Sequence, residues 1–119
     1  MGNISSYQDL NVWKKSIALT SNVYQLCKEL PGSEKFGICS QIQRSAVSIP
    51  SNIAEGHERH NLKEYIHFLG IARGSATELE TQLIITSNVY HLDTAGLVDN
   101  LTEIRKMLSS LVAKLRTKT

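Results

Sequence analysis

An all-α fold, an antiparallel up-down-up-down four-helix bundle in one domain, is predicted by three features of the sequence. Apolar residues recur at steps of three and four in four successive segments. Short turn-forming stretches separate those segments. Nowhere do apolar and polar residues alternate as they would in a half-buried strand. A chain of 119 residues is long enough to bury roughly two thirds of its unfolded surface, so one self-sufficient domain over 1–119 is expected, with 1–8 as an N-terminal tail.

The first helix is expected from about Asp9, with one seam through Leu10, Trp13, Ile17, Thr20, Tyr24 and Cys27. A second seam runs beside it through Val12, Leu19, Val23, Leu26 and Leu30, wider apolar cover than one bundle needs. A monomeric bundle is therefore expected to leave Val12, Leu19, Val23 and Leu26 in water, which marks them as an oligomer interface. Pro31 and Gly32 end this helix, because proline disfavours helical geometry at the preceding Leu30 and glycine permits the turn.

The second helix is expected from about Phe36 to Gly56, with Ile38, Ile42, Ala46, Ile49 and Ile53 on its buried face. Pro50 removes the hydrogen bond to the Ala46 carbonyl and is expected to kink the helix, with Ser45 or Ser48 bonding the disturbed turn. Asn61 and Glu64 form a capping box that starts the third helix, whose seam is Leu62, Tyr65, Leu69, Ala72, Ala76, Leu79, Leu83 and Tyr90. Gly70 and Gly74 cost about 1 kcal/mol each in a helix interior, so a neighbouring backbone is expected to approach there. After a turn at His91–Gly96, a fourth helix carries Leu97, Leu101, Ile104, Leu108, Leu111 and Leu115.

Composition excludes several classes. With 41% hydrophobic and 20% charged residues the chain is not disordered, and with two prolines and seven glycines it is not collagen-like. No apolar run approaches the roughly 18 residues of a membrane helix and no signal peptide opens the chain, so a cytoplasmic protein with no membrane partner is expected. In that setting the myristoylation-like start at Gly2 and the glycosylation-like Asn3 and Asn100 read as chance matches. Cys27 and Cys39 lack the spacing of a zinc site or disulfide framework and read as reduced thiols. His57, His60 and His67 lack a convergent further ligand, so no metal is expected. With no phosphate loop, zinc-protease motif or nucleophile elbow, no catalytic residue, cofactor or small-molecule substrate is expected.

Two polar features remain. Gln41, Arg44, Ser48, Asn52 and Glu55 form a stripe away from the isoleucine seam, read as a structural network in which Arg44 and Glu55 pair with groups such as Glu78. From Ile104 onward Arg105, Lys106, Lys114, Arg116 and Lys118 give +5, against −3 for the remainder and +2 overall. Cations suit a helix C-terminus, where the backbone dipole favours them, and they also suit phosphate contacts.

Three stretches carry a resemblance: Ser40–Gly56, Asp9–Lys14, and Phe68–Ser75 continuing through Glu78–Leu83. Together they resemble the bacterial four helix bundle protein family, which includes proteins encoded by intervening sequences inside 23S rRNA genes and sometimes labelled ribosomal. It is also similar to the accessory proteins of diversity-generating retroelements, which are strongly basic where this chain carries +2. The resemblance implies a pentameric ring of bundles, no known catalysis and a role with RNA. The expected function is a non-enzymatic oligomeric scaffold that contacts RNA or another nucleic acid through its basic helix ends. The alternative is a protein-interaction module with no nucleic-acid partner.

Overall fold

The computed structural model describes residues 6–118; the Gly2 and Asn3 motifs lie outside them. Four helices follow one another, α1 (Asn11–Cys27), α2 (Ile38–Glu58), α3 (Leu62–Tyr90) and α4 (Ala95–Arg116), with no strand among the described residues. Single 3-10 turns at Tyr7–Asp9 and Gly32–Glu34 precede α1 and α2. The bundle is all-α, in a body of 47 × 23 × 20 Å.

Contacts between neighbouring helices pair rising with falling residue numbers. Thr20 reaches Ala46 and Cys27 reaches Cys39 between α1 and α2. Ser45 reaches Gln82 and Ser48 reaches Ser75 between α2 and α3, and Lys15 pairs with Glu103 between α1 and α4. Consecutive helices thus run antiparallel, and α4 closes the bundle against α1.

The core corrects the reading of α1. Val12, Leu19, Val23 and Leu26 are buried inside the single chain, at 5%, 1%, 0% and 6% exposure, and do not form an outer seam. The residue that disguised this is Ser16, which is fully buried and donates its hydroxyl to the Trp13 carbonyl at 2.8 Å. With Ser16 included, Val12, Ser16, Leu19, Val23 and Leu26 step by four, three, four and three, the spacing that packs into a bundle interior. Of the other seam only Ile17 and Tyr24 are exposed, at 40% and 44%; Leu10 is buried and Trp13, Thr20 and Cys27 are half-buried.

α1 itself begins at Asn11, because the residues before it close a 3-10 turn that lays Tyr7 edge-on against Trp13 with ring centres 5.3 Å apart. α2 buries Ile42, Ala46, Ile49 and Ile53 completely, but it begins at Ile38 and leaves Phe36 outside it, 89% exposed. It also runs two residues past Gly56. That glycine is an interior position, where a Cβ would stand 2.7 Å from the Phe68 Cβ of α3. Glycine is required by this approach and not by a helix end.

Pro50 sits within α2 without ending it. The Ala46 carbonyl that it deprives of an N–H accepts instead from Thr20 Oγ1 of α1 at 3.2 Å. Thr20 shares that one proton with the Ser16 carbonyl, 2.7 Å away. Ser45 and Ser48, expected to serve this turn, are engaged with α3.

Asn61 caps α3 by accepting from the Glu64 N–H at 2.9 Å. The reciprocal arm of the capping box is replaced by an ion pair of the Glu64 carboxylate with Arg59 at 3.8 Å. The seam of α3 is buried through Leu69, Ala72, Ala76, Leu79 and Leu83. Gly70 and Gly74 lie on its opposite side, and among the described residues nothing beyond their own stretch of helix comes within 4 Å of a Cβ placed on either. The close approach expected there is absent inside the chain. In α4, Leu101, Ile104, Leu108, Val112 and Leu115 are buried, so Val112 takes the core place expected for Leu111.

Candidate functional site

Three surfaces have the makings of a site, and each is positioned by one pair of helices. The first lies between α2 and α3. Ser45 is buried, with its hydroxyl 3.0 Å from Glu78 Oε1 and 2.9 Å from Gln82 Oε1, so one small residue links two longer polar side chains. One turn further along α2, Ser48 meets Ser75 at 2.7 Å and accepts from Asn52 Nδ2 at 2.9 Å. The predicted stripe therefore splits. Ser48, Asn52 and Glu78 belong to a network between helices, whereas Glu55 pairs with Arg59 in its own helix at 3.1 Å. Gln41 and Arg44 stay exposed on the rim of a polar cleft of about 390 Å³. Ser45 and Gln82, the cleft's buried members, were missed because serine and glutamine carry no apolar signal.

The second surface is the basic C-terminal end of α4, and the structure does not gather its five cations. Arg105 pairs with Glu80 of α3 and turns toward that side. Lys106 and Lys114 face α1 across a groove whose floor is Leu10, Val12, Met107 and Leu111. Lys114 and Arg116 occupy the last turn of α4, where the backbone dipole favours positive charge, and Lys118 follows it. Lys106, Lys114, Arg116 and Lys118 are exposed, while Arg105 is engaged with Glu80.

The third surface is apolar and has two parts. Along the outside of α1 and α2, Trp13, Ile17 and Val47 border a shallow groove of about 290 Å³ floored by Pro50 and Ala54, with Tyr24 exposed one helical stretch beyond. On α3, Gly70 and Gly74 stand beside Ile71, with Ile84 and Ile85 about three turns further along the helix; the three isoleucines are exposed at 39%, 46% and 47%. Isolated apolar residues are normal on a surface, but a row along two helices is the pattern of an interface.

The histidines do not converge. His57 stacks edge-on to Tyr7 and Tyr65, His67 contacts Phe68, and His60 takes a left-handed turn at φ 53°. Among the described residues no group of three or more His, Cys, Asp or Glu side chains is arranged to hold a metal ion, and no helix is long and apolar enough to cross a membrane.

The sequence profile of the 23S rRNA-intervening sequence protein family matches residues 8–110, which include the α2 segment around Pro50 and the α3 segment around Gly70 and Gly74. The chain belongs to this family. A crystal structure of a protein of unknown function from the S23 ribosomal protein family of Bacteroides thetaiotaomicron VPI-5482 is similar, with a TM-score of 0.78 and 30% identity over 85% of this chain and 97% of that one. No curated protein matches. As an intervening-sequence protein, the chain keeps Pro50, the buried Ser45 network and the outward glycines inside the matched span. Lys114, Arg116 and Lys118 lie beyond it.

Proposed function

We propose that this protein is a non-enzymatic scaffold: a ring of identical bundles, five in the arrangement the family resemblance implies, that contacts RNA through the ends of its fourth helices. The observation that supports assembly is the pairing of two unlike surfaces. One carries bulky apolar side chains at Trp13, Ile17, Tyr24 and Val47, and the other carries small residues at Gly70 and Gly74 flanked by isoleucines. Seating the first on the second of a neighbouring copy covers both and supplies the backbone approach that the two glycines lack inside the chain. The surfaces differ, so the contact is head-to-tail, and a head-to-tail contact closes into a ring when its rotation allows.

Charge supports the RNA half. Lys106 and Lys114 line one groove and Lys118 follows, and a ring repeats that set once per subunit. RNA is a polyanion of the kind that such a rim attracts.

The test is binding of a fluorescent structured RNA to the assembled protein across about 50 to 200 mM salt. Affinity should fall as salt rises, and Lys106→Gln with Lys114→Gln should flatten that slope. Binding that ignores salt, or no binding by an assembled ring, removes the RNA half and leaves a protein-interaction module.

A further inference from the structure

Two thiols from separate helices meet at one end of the α1–α2 hairpin. Cys27 is the last residue of α1 and Cys39 the second of α2. Cys27 Sγ lies 3.8 Å from the Cys39 carbonyl oxygen, and Cys39 Sγ lies 4.0 Å from the Cys27 carbonyl oxygen. Each thiol thus reaches across to the other residue's backbone. Both are free. Cys39 is buried and Cys27 half-buried, on the wall of a surface groove of about 420 Å³ shared with Tyr24, Pro31 and Lys35.

We propose that Cys27 and Cys39 are a covalent modification site, converted by a low-molecular-weight disulfide into an intrachain disulfide that clasps α1 to α2. The Cys27 thiolate attacks one sulfur of the small disulfide, leaving a mixed disulfide on Cys27 and releasing one small thiolate. The Cys39 thiolate then attacks Cys27 Sγ, forming the Cys27–Cys39 bond and releasing the second. Two protein thiols are oxidised, one small disulfide is reduced to two thiols, and the two protein protons end on those thiols. The order follows from exposure: both cysteines line the groove, but Cys27 is half-buried where Cys39 is buried.

The surroundings set the speed. Tyr24 and Lys28 of the first hairpin arm, Lys35 of the connection, and Cys39 and Gln43 of α2 are the polar and titratable neighbours. Burial, followed by the Cys39 hydrogen bond and charge, pushes the Cys27 thiol up to about 12. The thiolate is scarce near neutral pH, so brief oxidant exposure passes the pair by and sustained exposure closes it.

The experiment treats the reduced full chain with glutathione disulfide and follows intact mass, denaturing gels and peptide maps. The expected product has lost two hydrogens, stays a single chain, and joins the Cys27 and Cys39 peptides. Its rate of formation should rise about tenfold per pH unit between about pH 7 and 9. Closing the short loop should raise Tm by about 5–10 °C. Cys39→Ser should stop at a glutathione adduct on Cys27, and Cys27→Ser should stay unmodified while folded. A wild-type chain that holds only adducts, cross-links between chains, or reacts only after unfolding overturns the proposal. None of these outcomes depends on assembly or RNA, so failure here leaves the scaffold reading untouched.

Discussion

Two small-residue faces occur in this bundle, and they stand in opposite surroundings. The inner one, Ser45, Ser48 and Gly56 of α2 against Ala72, Ser75 and Ala76 of α3, is filled by the neighbouring helix. A Cβ at Gly56 would meet Phe68 at 2.7 Å, and the serines spend their hydroxyls across the seam. The outer one, Gly70 and Gly74, faces nothing within 4 Å among the described residues beyond its own helix. Glycine, and to a smaller extent serine, costs helix propensity wherever it sits, a cost that close packing against a partner can offset. The inner face has its partner inside the chain; the outer face has none among the described residues, and it is the face we propose a second copy covers.

The largest effect is expected at the inner face. Gly56→Val should destabilise the fold by about 2–4 kcal/mol in denaturant unfolding, because backbone and Phe68 must move apart. A neutral result would mean that closeness is not what glycine serves there. Ser45→Ala should cost about 1–2 kcal/mol, since Gln82 and Glu78 lose their shared partner.

A smaller effect sharpens the α1–α2 side. Pro50→Ala should leave a folded helical protein, since it returns an N–H to the Ala46 carbonyl that Thr20 now serves. Thr20→Val should cost about 1 kcal/mol with Pro50 present and less with Pro50→Ala, and a cycle with no coupling would detach the two residues.

At the outer face the sign reverses: Gly74→Ala should stabilise an isolated bundle by about 0.5–1 kcal/mol while loosening assembly. Smallest is a pH effect at Tyr90, whose phenol donates to Glu34; that bond, with burial and the carboxylate charge, holds its pKa above the usual 10. A raised pKa contributes stability that is complete below pH 10 and is lost as pH climbs through the folded value. Tyr90→Phe should therefore lose stability at neutral pH but show a shallower decline above pH 10 in melts across that range.

Periodicity made the four helices legible, and the Ser40–Gly56 stretch made the family legible, because apolar spacing and a long ordered motif are both written in the chain itself. Which of two adjacent seams turns inward was not legible. Ser16 reads as polar, yet its hydroxyl bonds the Trp13 carbonyl and lets it sit in the core, so Val12, Leu19, Val23 and Leu26 turn inward and Ile17 and Tyr24 outward. The five cations read as one patch because sequence spacing does not reveal that Glu80 of another helix claims Arg105. Partners that side chains find across helices depend on packing, which a single sequence states only indirectly.

The most direct measurement of the scaffold reading is the solution mass of the unmodified chain at micromolar concentration by light scattering. A ring of bundles has a mass several times 13.2 kDa, which should fall toward that value with Ile17→Glu or Val47→Glu, both exposed positions outside the core. A folded, unmodified chain that scatters as a 13.2 kDa monomer would contradict the ring, the role given to Gly70 and Gly74, and the charged rim built on them.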